Sequence, residues 1–264
     1  RIIVTSLYAL PLNVIIVLTA AIFVGYCWFG CIFLRPFLRI FVKGRGNSND
    51  VVGHVLSCFG VFYGLLLGLI AVASFQNLSK VEDNVAREVA SLDALYQDVG
   101  TYPAPHGQNL QWLLREYCRF VFKYGWEQYA SGEIPEGERT RIEAFHERLL
   151  AFNPETETQK IVHAETIRQF NVFLENHRVR ENAITTGIPS VMWYVVLVGA
   201  VLNIALIWLF DMKFITQLFL GGILSFFLGL MIMLIGVMDR PFQGDVSVSS
   251  QPFEILYWTK MRDT

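Results

Sequence analysis

The stretch VVGHVLSCFGVFYGLLLGLIAVAS (residues 51–74) carries no Asp, Glu, Lys or Arg, and it leads into FQNLSKVEDNVAREVASLDALYQDV (residues 75–99), which has no proline or glycine. About 20 predominantly apolar residues in a helix cross the ~30 Å hydrocarbon core of a bilayer. The first half therefore reads as a membrane span. Nothing in the sequence stops the helix at the membrane surface. After Phe75-Gln76-Asn77, the residues Leu78, Val85, Val89, Leu92, Tyr96 and Val99 fall on one helical face. Until Gly100 and Pro103 the segment predicts a single helix of ~50 residues, about 75 Å long, leaving the bilayer for water.

Three further apolar spans lie outward from it: residues 12–34, 189–210 and 214–238. The spans form two pairs, separated by a charged insert. Between Phe75 and Ile188 the chain has 12 Lys+Arg and 17 Asp+Glu, a net of −5, whereas the spans have no charged side chain except Arg35 just past the first. The whole 264-residue chain, 53% hydrophobic with a formal charge of −2, is thus an integral membrane protein with a solvated insert. Nucleic acid is excluded as a partner, because phosphate binding needs clustered Lys and Arg. The first span is too long for a secretory leader and is followed by Arg35, Arg39, Lys43 and Arg45, so it reads as a retained helix. It is expected to stop at Arg35-Pro36, since proline removes a donor and disfavours helix in the residue before it. Cys27, Cys31, Cys58 and Cys118 have no paired-ligand spacing and read as small hydrophobes.

Inside the insert three amphipathic helices are expected: about Gln108–Ala130, Glu136–Phe152 between Pro135 and Pro154, and Glu155–Thr186. No alternating strand pattern appears. The fold class is all-α, four transmembrane helices in two pairs with a helical extramembrane domain between them. Its divisions are residues 1–74, 75–188, 189–238 and a tail, 239–264. The tail is read either as an interfacial helix, with Tyr257, Trp258, Lys260 and Arg262 at the headgroups, or as a docked segment.

On the second span Gly53, Ser57, Gly60, Gly64, Gly68 and Ala71 recur at steps of three or four. In lipid, helices associate through faces of small residues. The stripe is therefore read as a packing face or as the lining of an axial path in an oligomer. Span four repeats the device with Gly221 or Gly222, Ser225, Gly229 and Gly236. Where span two leaves the membrane, Ser74, Gln76, Asn77 and Ser79 form an uncharged polar collar of the kind that replaces water around an ion. Asn203, near the middle of span three, is the leading intramembrane polar residue and is expected to make an interhelical hydrogen bond. The lack of intramembrane charge argues against a pump. Enzymatic signals are thin: Glu143-x-x-His146 is half of a di-iron helix motif without a second copy, and no phosphate loop or nucleophile elbow occurs. No catalytic residue, metal or cofactor is expected.

Gly64-Leu65-Leu66-Leu67-Gly68-Leu69-Ile70-Ala71-Val72-Ala73 leading into Val85-Ala86-Arg87-Glu88-Val89-Ala90-Ser91-Leu92-Asp93-Ala94-Leu95-Tyr96, with Asp239-Arg240-Pro241-Phe242-Gln243-Gly244 after the last span, resembles the bacterial bestrophin-like family of membrane proteins. The resemblance covers the chain from the first span to Phe253. It implies the two-plus-two helix arrangement of bestrophins, which are oligomeric anion channels with a pore lined by the second helix. The acidic cluster of a bestrophin calcium clasp is not recognisable, so calcium gating is not carried over. The expectation is a homo-oligomeric, anion-conducting channel among membrane lipid; the rival reading is a non-conducting scaffold bound to other membrane subunits. Basic residues are denser on the short-loop side, which favours an insert outside the cytoplasm. The resemblance places it inside, and the reading follows the resemblance: a multi-pass protein of the bacterial inner membrane with a cytoplasmic insert.

Overall fold

The structure, a computed structural model, describes residues 11–42 and 48–262. The connector residues Lys43 and Arg45 and the side chain of Arg39 lie outside the described residues. All regular structure among the described residues is helical, and four helices are long and apolar enough to cross a membrane. The chain divides into two compact units. One comprises the described residues up to Gln76 together with Gly187–Asp239, and the other Asn77–Thr186 with the residues from Arg240 onward.

The first unit holds α1 (Leu12–Phe29), α2 (Arg35–Val42), the first part of α3 (Ser48–Val99), α8 (Ser190–Trp208) and α9 (Phe214–Met238). The first helix does not stop at Arg35-Pro36 as the proline predicts. A π turn, Gly30–Leu34, carries it into α2, with the Arg35 N–H bonded to the Gly30 carbonyl. The wider π register relieves the clash that proline makes with the preceding turn. Gly30 is needed there for a second reason: a Cβ on it would lie 1.9 Å from the Trp208 indole. That indole donates from Nε1 to the Cys27 carbonyl at 3.1 Å.

Small residues on α9 seat the side chains of α1. A Cβ on Gly221 would stand 2.8 Å from Cys27 Sγ, and one on Gly229 3.2 Å from the Phe23 ring. On α8, Gly199 gives room to Tyr63 of α3, whose hydroxyl donates to the Val196 carbonyl at 2.7 Å. Tyr63, Leu67, Ile70, Val196, Ala200, Ile232 and Ile235 form the core between α3, α8 and α9. Gln217, fully buried on α9, donates to the Ile207 carbonyl at 2.8 Å. Asn49 grips the Asp211 backbone from both sides, donating at 2.9 Å and accepting at 2.8 Å. Cys27 and Cys31 are buried, while Cys58 on α3 is exposed.

Asp239, first residue of the post-membrane motif, closes this unit. Its carboxylate accepts from the Ile188 N–H at 2.5 Å and from Trp193 Nε1 at 3.1 Å, tying the entrance of α8 to the exit of α9. Asp239→Ala is expected to destabilise the protein by about 2–3 kcal/mol, because two donors lose a charged acceptor. Thermal melts in detergent would measure this; a variant melting with the wild type would refute the clasp.

The second unit contains the remainder of α3, α4 (His106–Phe120), α5 (Trp126–Ser131), α6 (Glu136–Leu150), α7 (Glu157–Thr185) and α10 (Gln251–Leu256). The expected Gln108–Ala130 helix is interrupted by a π turn, Val121–Gly125. Helix α7 starts on a capping box between Thr156 and Gln159. The motif that follows the last span enters this unit: Phe242 is buried against Trp126 and Tyr129, and Gly244 adopts a positive φ of 82°. The tail is docked, with Phe253, Leu256 and Met261 buried.

Candidate functional site

The small-residue stripe of α3 takes a distinctive position. Helix α3 packs on α8 and α9 through Tyr63, Leu67 and Ile70, and Ser74 is buried beside them, its hydroxyl turned back to the Ile70 carbonyl at 2.9 Å. The glycines are elsewhere. Cβ atoms on Gly60, Gly64 and Gly68 would each meet no heavy atom within 4 Å. Ser57 and Gly64 are exposed, and Gly60, Gly68, Ala71 and Asn77 are half-buried. Within one chain the stretch Gly60–Gly68 is thus an open face, in contrast to the filled glycine seats of α8 and α9, while Ala71 packs at the edge of the core. Asn203 is half-buried and makes no side-chain hydrogen bond among the described residues; the buried interhelical polar contact expected of it is made by Gln217 instead. His54, exposed, bonds through Nδ1 to the Asp50 carbonyl one turn earlier on its own helix.

Beyond the membrane span, the same helix contributes Glu88 to a cluster of charges that periodicity alone did not single out. Glu88, Glu138 and Arg180 have fully buried side chains. Arg180 reaches Glu88 through Nε at 2.5 Å and through Nη2 at 3.0 Å, and Nη2 also reaches Glu138 at 2.8 Å. Tyr117 donates to Glu88 and Tyr129 donates to Glu138, each at 2.7 Å. The guanidinium is enclosed by Tyr129, Phe253 and Trp126, with ring centroids 4.8, 5.4 and 5.6 Å away. Gly125, at the end of the π turn, permits this approach, for a Cβ there would stand 2.4 Å from Glu138 Oε1. Completing the cluster, His177 lies 3.3 Å from Glu88 through Nδ1 and 3.5 Å from Glu181 through Nε2.

The cluster holds three carboxylates against one guanidinium and one imidazole, and this imbalance sets the protonation states. Burial alone would raise the Glu88 carboxyl, but the Arg180 charge and hydrogen bonds from His177 and Arg180 outweigh it and hold the group down to about 2. Burial alone would lower His177, yet its bonds to Glu181 and Glu88 lift it to about 9. His177 is therefore an imidazolium at neutral pH. Because its folded value is raised, its contribution to stability is complete below about pH 6.5 and is lost as pH rises through 9. The depressed Glu88 acts oppositely: its contribution is complete above about pH 4.5 and is lost as pH falls through 2. Melting temperature is accordingly expected to be highest between these limits and to fall by pH 9, with the alkaline fall abolished in His177→Gln. An unchanged alkaline limb in that variant would overturn the assignment.

Sequence comparison matches residues 21–253 to the model of the bestrophin-like domain. Solved structures give the same architecture. Three crystal structures of a bacterial bestrophin homolog from Klebsiella pneumoniae are similar: two single-residue variants with TM-scores of 0.66 and 0.65 at 12% and 13% identity, and one solved by zinc phasing with 0.60 at 14%. Each covers 94% of this chain, and the matches take in 99%, 99% and 96% of those chains respectively. At these identities the likeness shows the fold alone. No curated protein matches the sequence.

Proposed function

We propose that this chain, which belongs to the bestrophin-like family, assembles with copies of itself into an ion channel whose path is lined by the open face of α3 from Ser57 to Asn77. The observation that carries the reading is the empty space beside Gly60, Gly64 and Gly68. Small-residue faces in lipid ordinarily serve close approach, yet these three glycines meet nothing in their own chain. A symmetric ring would give the face a shared axis, with Asn77 of the collar as its polar exit; Ser74, buried with its hydroxyl on the Ile70 carbonyl, is left out of it. The insert would form a vestibule on the cytoplasmic side of a bacterial inner membrane.

Anion conduction follows the bestrophin resemblance. A second reading, cation conduction, is favoured by the insert's net charge of −5, since an acidic vestibule concentrates cations. Purified protein in liposomes under a potassium chloride gradient tests both: the sign of the reversal potential names the permeant ion. Absence of current for either ion overturns the channel, and recovery from native membrane at fixed stoichiometry with an unrelated subunit would support the scaffold instead.

A further inference from the structure

Helices α6 and α7 do not close on each other along their length. The rings of Phe145, His146 and Phe170 stand between them, and beside these rings opens a cavity of about 420 Å³. Its floor is apolar, made by Ile142, Phe170 and Leu174. The His146 imidazole lies nearly parallel to the Phe170 ring, 20° between planes and 5.0 Å between centroids; Phe170 is buried beneath it, and the exposed imidazole is the flat surface the cavity offers.

The rim is charged, and its charges are unequally engaged. Glu143 is paired with Arg139 at 2.8 Å, and Glu181 with the buried His177 at 3.5 Å. Arg178, which also lines the cavity, is exposed and has no ion pair among the described residues. A cavity of this size with an apolar floor and a few convergent polar groups has the character of a small-molecule site. The free guanidinium fork matches a carboxylate. With Glu143 and Glu181 each neutralised by its partner, Arg178 is left as one net positive charge and suits a singly charged anion, and the flat imidazole of His146 favours a planar body. We propose that the α6–α7 cavity binds a small monocarboxylate with a flat apolar body, its carboxylate on Arg178 and its body on His146 and Leu174.

This goes beyond ion conduction and is testable apart from it. The full chain in detergent micelles would be titrated calorimetrically with benzoate as the probe, and with benzamide and inorganic phosphate for comparison. Benzoate is expected to bind once per chain, and neutral benzamide at least about tenfold more weakly, since it forfeits the charge-assisted bonds. Arg178→Gln should weaken benzoate by a similar factor, while Arg168→Gln, on the same helix but outside the cavity, should leave it unchanged. Absence of benzoate binding, equal affinity for benzamide or phosphate, or an unaltered Arg178→Gln variant would each overturn the site. Flux in probe-free liposomes is a separate readout, so a conducting protein that ignores benzoate refutes this site and leaves the channel standing.

Discussion

Arg180→Leu is expected to destabilise the protein by about 3–5 kcal/mol, because it strips the countercharge from two carboxylates that have no access to water. The two buried carboxylates would then stand uncompensated, and the second unit would have to open to let water reach them. The loss exceeds that of an ordinary surface pair, which is worth at most about 1 kcal/mol. Arg168→Leu, which breaks the exposed pair with Glu165, supplies that comparison. Arg180→Lys should recover only part of the loss, since one ammonium cannot reproduce the fork between Glu88 and Glu138. Combining Glu88→Gln, Glu138→Gln and Arg180→Met should recover more, because a neutral cluster carries no unpaired charge. Chemical denaturation in micelles, followed by tryptophan fluorescence, gives the order of these variants. If Arg180→Leu unfolds at the same denaturant concentration as Arg168→Leu, the cluster is not what holds the second unit together.

Gly64→Leu is expected to abolish ion flux while leaving the folded chain intact. The two halves of this expectation come from one measurement of space: nothing stands within 4 Å of a Cβ at this position. A leucine therefore fits within its own chain and obstructs only what passes or packs along the open face. Gly199→Leu should do the reverse, since its first carbon would stand 2.3 Å from the Tyr63 ring and the membrane core must give way. Flux, melting temperature and oligomer mass read together separate the cases. Wild-type flux in Gly64→Leu would remove the face from the path; loss of the oligomer would make it a contact between copies.

Much of the architecture was legible because lipid leaves few choices. Apolar runs of about 20 residues cross as helices, and the α3 pattern continues from Leu78 to Val99 without a breaker, so its length could be read directly. Proline at position 36 misled because the rule against it assumes an α register, and the π turn at Gly30–Leu34 supplies another. Charge was the larger omission. Glu88 follows Val85 by three residues and precedes Leu92 by four, and so sits on the apolar face. Arg180 stands in the same relation to Phe173, His177 and Ile184, and Glu138 to Ile142 and Phe145. The signal was present: ionisable residues in register with core positions imply mutual neutralisation, because burying one alone is prohibitive. Which of them meet is decided by packing between helices distant in sequence, and no periodicity contains that. The stripe was equally visible as a pattern, but whether its glycines were filled or empty depended on side chains from α8.

The cysteines have a practical corollary. Cys27, Cys31 and Cys118 are buried, and Cys58 alone is exposed, on the same turn of α3 as Ser57 and close to Val61 and Phe62, which face outward. Among the described residues Cys58 is thus the single exposed thiol, and it lies beside the face in question. A lipid-soluble maleimide and a membrane-impermeant one, applied to intact protein, would report by their relative rates whether that turn of helix borders hydrocarbon or water, and the same thiol could anchor a fluorophore or spin label for distances between copies.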